Sequence, residues 1–326
     1  MKTRFPYYAW SVLAFHLAVI LWGAFVRASG SGAGCGQHWP LCNGQIVPRA
    51  AINATIIEFS HRFTSGIALV SVVILGIWAF RAFPRGYGVR GGAALALLSM
   101  VIECAIGAAL VLLRLVGSND SFSRGLWLAA HLVNTLFLLA TLSLTAWQAT
   151  AIRRPSYRYA QLPRARQALG LSVTGFLCAA VLGGFAALGD TLTAPKSLTA
   201  GFHADLSAFS NIFVRLRILH PIVAGALGAW LLVLTFQVIG SGRASKVAKL
   251  LGRAIAALVL SQFALGVANI ALLTPTWLQL LHLLGADLLW IACVLLASEL
   301  DVERASARNG GFSLRSSAGA QAPVPG

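Results

Sequence analysis

Residues 58–80 read EFSHRFTSGIALVSVVILGIWAF: a carboxylate at Glu58, an imidazole at His61, a guanidinium at Arg62, then eighteen residues with no charge. A helix needs about 20 apolar residues to cross about 30 Å of hydrocarbon. Seven more runs meet that requirement, at 8–27, 92–113, 125–149, 168–188, 212–239, 254–273 and 278–298. Across all 326 residues 58% are hydrophobic and only 10% charged, against about 25% charged in soluble domains. That excludes an ordinary soluble enzyme, a disordered chain and a collagen-like fibre. The period-two alternation of a membrane barrel is absent. The first run leads through Arg27 into a glycine-rich loop with no small-x-small cleavage site, so it reads as a retained helix. The fold class is therefore an all-α membrane protein with eight transmembrane helices.

The net charge of +16 would suggest a nucleic-acid partner in a soluble protein. Here the basic residues fall between the runs and are topology signals, so no nucleic-acid partner is expected. Seventeen of the 25 Lys and Arg lie on one side: Lys2 and Arg4, then 81–90, 153–166, 243–253 and 304–315. The positive-inside rule makes this side cytoplasmic. Both termini then lie inside, while 28–57, 114–124, 189–211 and 274–277 face outward. Such a chain is a multi-pass membrane protein, in contact with lipid. The tail over 301–326, rich in Ala, Ser, Gly and Pro, is expected to be disordered.

The halves repeat weakly. His61 with Ser65-Gly66 matches His220 with Ala224-Gly225, and Glu103 with Gly107 matches Gln262 with Gly266, both at an offset of 159. His131-Leu132 matches His282-Leu283 at an offset of 151. Four spans per half, each half starting inside, predict two parallel repeat-related four-helix bundles. They would cover 1–152, including the outer loop 28–57, and 153–300.

Four of the seven histidines, His61, His131, His220 and His282, begin runs 2, 4, 6 and 8. All four runs travel from outside to inside, which puts the imidazoles at similar depth, one pair per half. Haem iron takes one axial ligand above and one below a flat ring, and neutral imidazole is a good donor. The set therefore reads as haem-iron ligands. His16, His38 and His203 do not fit the pattern and read as packing or loop residues.

Glu58 lies one turn before His61, as a solvated helix start or as a catalytic carboxylate. Arg27, Arg62, Arg215 and Arg217 cluster at outer helix ends, facing either haem propionates or lipid headgroups. Glu103, deep in run 3, is a functional candidate by position; its partner Gln262 suggests hydrogen bonding within the packing. Cys35 and Cys42 share one outward loop, where a disulfide is expected as a structural staple or a redox pair. Cys104, Cys178 and Cys293 lie within apolar runs as small core residues.

The segment Gly23-Ala24-Phe25-Val26-Arg27-Ala28-Ser29-Gly30, the Cys35–Cys42 stretch with Trp39-Pro40-Leu41, and Glu58-Phe59-Ser60-His61-Arg62 together resemble bacterial haem A synthases of the cysteine-containing branch. The resemblance implies oxidation of a methyl substituent of haem O to a formyl group, through an alcohol, making haem A for terminal oxidases. It implies that His61 and His131 flank the substrate haem O, that Glu58 is catalytic, and that His220 and His282 hold a haem b. Haem O synthase, an unidentified electron acceptor and a second copy in a homo-oligomer are the expected partners. Two other classes explain part of the pattern. A di-haem b electron-transfer cytochrome needs four histidines but neither Glu58 nor the loop cysteines. A transporter is compatible with parallel repeats, but the polar groups lie near one face instead of the midplane.

Overall fold

The computed structural model describes residues 4–49, 52–151, 165–242 and 244–316. Within them the chain forms ten helices: α1 (Phe5–Ala28), α2 (Asn53–Ala82), α3 (Gly88–Leu112), α4 (Phe122–Ala151), α5 (Ala165–Leu192), α6 (Leu198–Leu206), α7 (Ile212–Leu216), α8 (Leu219–Gly240), α9 (Lys246–Ala271) and α10 (Thr276–Ser316). Among the described residues the only β-pairing is an isolated bridge between Cys42 and Gln45. Among the described residues eight spans are long and apolar enough to cross a membrane, α7 and α8 together forming one of them. Helices are the outcome because a backbone in hydrocarbon must satisfy its own N–H and C=O groups.

Several spans carry an inward and an outward apolar face, and α2 shows the pattern. On α2 the buried face is Ala68, Val72, Leu75 and Ala79, while Phe63, Ile67, Val70, Ile74 and Ile77 are exposed. Both sets recur every three or four residues, so one stripe packs inward and the opposite stripe is left for lipid. Alanines on the inner stripe, joined by Ala93 and Ala96 of α3, let the backbones approach closely. Polar ties then fix helix rotation. Trp290 Nε1 donates to the Leu136 carbonyl at 2.8 Å, Trp230 Nε1 to Ser172 Oγ at 3.0 Å, and Tyr8 Oη to the Ser71 carbonyl at 3.0 Å.

In the first half α1 packs on α2, α2 on α3, α3 on α4, and α4 back on α1. In the second, α5 packs on α8, α8 on α9, α9 on α10, and α10 on α5. Each half is thus a closed ring of four, and the rings meet mainly through α4 and α10, with α4 also on α5 and α1 on α10.

Several expectations shift. α9 begins eight residues before its apolar run because Ser245 caps it, its hydroxyl accepting from the Ala248 N–H at 2.9 Å. The segment 189–211 holds α6, whose cap is Ser197 accepting from the Ala200 N–H at 3.2 Å. α10 runs on to Ser316, so 301–316 is helical where composition predicts disorder. Glu299, Glu303, Arg304, Ala305 and Ala307 are good helix formers that prolong a helix already nucleated in the preceding span. Cys178 is exposed, not a core residue; Cys104 and Cys293 are half-buried. The expected inward-side residues Lys2, Arg153, Arg154, Arg158, Arg164 and Arg243, and the tail 317–326, lie outside the described residues.

Candidate functional site

His61, His131, His220 and His282 stand eight, nine, eight and six residues in from the starts of their spans at Asn53, Phe122, Ile212 and Thr276. At 1.5 Å per residue they differ in depth by no more than about 5 Å. They sit on α2 and α4 in one ring and on α8 and α10 in the other. In neither ring are these two helices among the extensively packed neighbours; they face each other diagonally. With neighbouring axes 8–10 Å apart, a diagonal spans roughly 11–14 Å, leaving space that adjacent helices would close.

The His220 and His282 rings face each other with centroids 6.3 Å apart and planes at 86°. Two imidazoles on opposite sides of one metal ion have centroids about 6 Å apart, from a metal–nitrogen bond of about 2 Å and a ring radius of about 1 Å. The pair fits that span. His220 Nδ1 lies 3.0 Å from the Ala179 carbonyl, which accepts its proton and leaves Nε2 as the free donor. His61, His131 and His282 each keep a buried Nδ1 with no hydrogen-bond partner. Among the described residues no group of three or more His, Cys, Asp or Glu is placed to hold a bare metal ion. The donors come in twos, the number a haem iron takes axially.

A glycine seats one imidazole in each ring. A Cβ on Gly23 of α1 would lie 2.8 Å from His61 Cε1, and a Cβ on Gly183 of α5 would lie 2.9 Å from His220 Cε1. The two glycines are 160 positions apart and the histidines 159, so the same close approach is built twice.

Glu58 is buried, 4% exposed, and its oxygens are engaged. Oε1 accepts from Arg62 Nη2 at 2.5 Å and Nε at 3.1 Å, and Oε2 from the Cys35 N–H at 2.8 Å. Arg62 also donates to the His38 carbonyl at 2.5 Å and the Leu41 carbonyl at 2.7 Å. Thr55 Oγ1 donates to the Gly34 carbonyl at 2.7 Å. The first three turns of α2 thereby clamp the loop closed by the Cys35–Cys42 disulfide, whose cysteines are fully buried. Glu58 is not a solvated helix-start residue, since an ion pair and a backbone donor hold it.

Arg27, Arg62 and Arg217 are engaged by protein, where the sequence suggests propionates or headgroups. Arg62 serves the loop. Arg27 donates to the Ala187 carbonyl at 2.6 Å and Thr191 Oγ1 at 2.7 Å, joining α1 to α5 across the two rings. Arg217 bonds Asp190 at 2.7 Å and Asp205 at 2.6 Å. Arg215 is exposed. His16 is buried with Nδ1 2.8 Å from the Val12 carbonyl, as a packing residue should be.

Glu103 hydrogen-bonds within the packing, as its partner Gln262 suggests, and in addition it stands behind His131. Its carboxylate Oε1 lies 3.4 Å from His131 Nδ1 and accepts from Thr135; Oε2 accepts from Asn134 Nδ2 at 2.5 Å. The available signal was the i, i+3, i+4 spacing of His131, Asn134 and Thr135 on the face of α4 that meets α3.

Fold and site together define a multi-pass helical membrane protein with two diagonal pairs of histidines held near one end of its two four-helix rings. The family model of cytochrome oxidase assembly proteins, COX15-CtaA, matches residues 6–294, and the chain belongs to that family. It is 42% identical over 312 residues to a protein of Thermus thermophilus named protoheme IX farnesyltransferase, a match covering 94% of this chain and 51% of that one. The chain thus spans about half the length of that relative. It is 29% identical over 280 residues to a heme A synthase of Shouchella clausii, covering 84% of this chain and 89% of that one. A heme A synthase of Geobacillus kaustophilus is 41% identical over 111 residues, covering 34% and 35%.

Proposed function

We propose that the chain is a haem A synthase, oxidising the methyl substituent of haem O to a formyl group. One observation carries the reading: paired imidazoles on diagonal helices, with His220 and His282 at the separation two axial ligands require. Family membership and the heme A synthase relatives supply the direction. The two rings are taken as parallel repeats, residues 1–152 for substrate and 153–300 for haem b, with His61 and His131 flanking haem O and His220 and His282 holding haem b.

This division is favoured because one carboxylate stands a turn before His61 and another behind His131, at positions where the second ring has none. At the offset of 159, Glu58 corresponds to Arg217 and Glu103 to Gln262. With water as the oxygen source, the methyl group and one water together lose two electrons and two protons, leaving the alcohol. A second such step gives the hydrated aldehyde, which releases water. The four electrons pass to an acceptor outside the chain. Bound iron supplies the redox capacity. The protein contributes placement and a base. Glu58 Oε2 accepts one hydrogen bond, and a carboxylate oxygen has two lone pairs, so one acceptor position remains for a proton from the reacting centre. The Cys35 N–H on Oε2 and Arg62 on Oε1 keep the carboxylate in place.

The loop end faces outward and both termini lie in the cytoplasm, as the basic residues of the interhelical segments favour; the membrane is the bacterial inner membrane. The longer Thermus relative suggests the partner: a haem farnesyltransferase, the enzyme class that makes haem O, working beside this chain.

Co-expression with a haem O source, followed by chromatography of the extracted haems, tests the reading. The expected result is a new formyl-bearing haem, lost in His61→Ala and strongly reduced in Glu58→Gln. Two tightly held haem b groups with no formyl product would instead identify a di-haem cytochrome.

A further inference from the structure

We propose that Glu103 is a positioning residue that makes His131 a stronger iron ligand than any histidine of the second ring. This rests on the assignment of His131 as a haem ligand in the proposed function.

The geometry is specific. Glu103 enters the α3–α4 interface from α3, and its carboxylate is propped by the two residues that follow His131 one turn along α4. Asn134 Nδ2 donates to Oε2 at 2.5 Å and also to the Ser99 carbonyl at 2.9 Å, tying the amide to α3. Thr135 Oγ1 donates to Oε1. The same Oε1 lies 3.4 Å from His131 Nδ1, while Nδ1 has no aligned hydrogen-bond partner. A charge-assisted N–H···O⁻ bond settles at about 2.7–2.9 Å, so a movement of roughly half an ångström with a ring rotation completes it. No competing acceptor holds Nδ1.

A carboxylate behind a ligating imidazole does two things. It fixes the proton on Nδ1, leaving Nε2 to face the metal, and it makes the ring more basic. The second ring lacks every part of this device. Gln262 stands for Glu103, Gly285 for Asn134 and Ala286 for Thr135, and a Cβ on Gly285 would collide with Gln262 Nε2. There His220 Nδ1 meets only the neutral Ala179 carbonyl. An iron held by His131 would therefore be easier to oxidise than one held by His220 and His282.

The test uses the full chain in detergent with both haems bound, and reads the two reduction midpoints by optical titration. The haem lost in His131→Ala identifies the first-ring signal. In Glu103→Gln that midpoint rises, the second stays at its wild-type position, and haem affinity of the first ring falls roughly 10- to 100-fold. Asn134→Ala moves the same midpoint less, and Gln262→Leu moves neither. Retention of the second haem reports that each variant is folded. Wild-type midpoints and full haem content in Glu103→Gln would overturn the inference and leave the proposed function standing. So would loss of both haems in Glu103→Gln combined with an unmoved midpoint in Asn134→Ala. A wild-type chain that binds no haem, or a His131→Ala variant that keeps both, would overturn the inference together with the ligand assignment beneath it.

Discussion

Gly23 and Gly183 allow a prediction in which each half of the molecule is the control for the other. A Cβ at Gly23 would lie 2.8 Å from His61 Cε1 and 3.0 Å from Nε2; at Gly183 it would lie 2.9 Å from His220 Cε1. Carbon atoms pack best at about 3.5–4.0 Å, so alanine must displace the imidazole by roughly 0.6–1.2 Å. Functional groups need placement to about 0.5 Å, and the displacement exceeds that. Overpacking costs about 1–3 kcal/mol. Alanine returns at most about 1 kcal/mol through helix propensity, so the fold survives while the ligand moves. Gly23→Ala is expected to lose the first-ring haem and keep the second; Gly183→Ala is expected to do the reverse. Gly76→Ala, on α2 but with no atom within 4 Å of its added Cβ, should keep both. Haem extraction from purified protein, with reduced-minus-oxidised spectra, gives the count. Two fully occupied haems in Gly23→Ala, or loss of the second-ring haem instead, would refute the reasoning.

Arg217 stands between two carboxylates with all three side chains largely buried; Arg217→Ala leaves Asp190 and Asp205 facing each other and is expected to cost about 3 kcal/mol, read as a lower unfolding temperature by circular dichroism. Neutralising Arg217 and Asp205 together should recover most of that loss, since Asp190 then still faces Arg27. Maleimide labelling in denaturant without reductant, followed by mass spectrometry, should modify Cys104, Cys178 and Cys293 alone. Cys35 and Cys42 should label only after reduction, and labelling of either without reductant would refute the loop structure.

Much of this architecture is written locally. Eight apolar runs specify eight spans because the bilayer leaves the backbone one way to satisfy itself. The positions of His61, His131, His220 and His282 within those runs bring them to a common depth because helical rise is constant. A disulfide between Cys35 and Cys42 was legible from two cysteines in one short loop. Partners that depend on helix rotation were not. Arg27 reaches α5 in the other ring, and Arg62 folds back onto Glu58 and the loop carbonyls; a linear reading leaves both facing lipid or ligand.

From the amino-acid order alone come the number of spans, the imbalance of basic residues between their connections, the shared depth of four imidazoles and the twofold recurrence of their surroundings. These follow from hydropathy and from a fixed rise per residue, which involve no neighbour. Tertiary structure alone decided that the histidine helices lie diagonally, that Glu58 is committed to an ion pair and a loop N–H, and that Glu103 stands behind His131. Each of these depends on which way a helix is turned about its axis, and that angle is set by small residues and tryptophan hydrogen bonds on other helices.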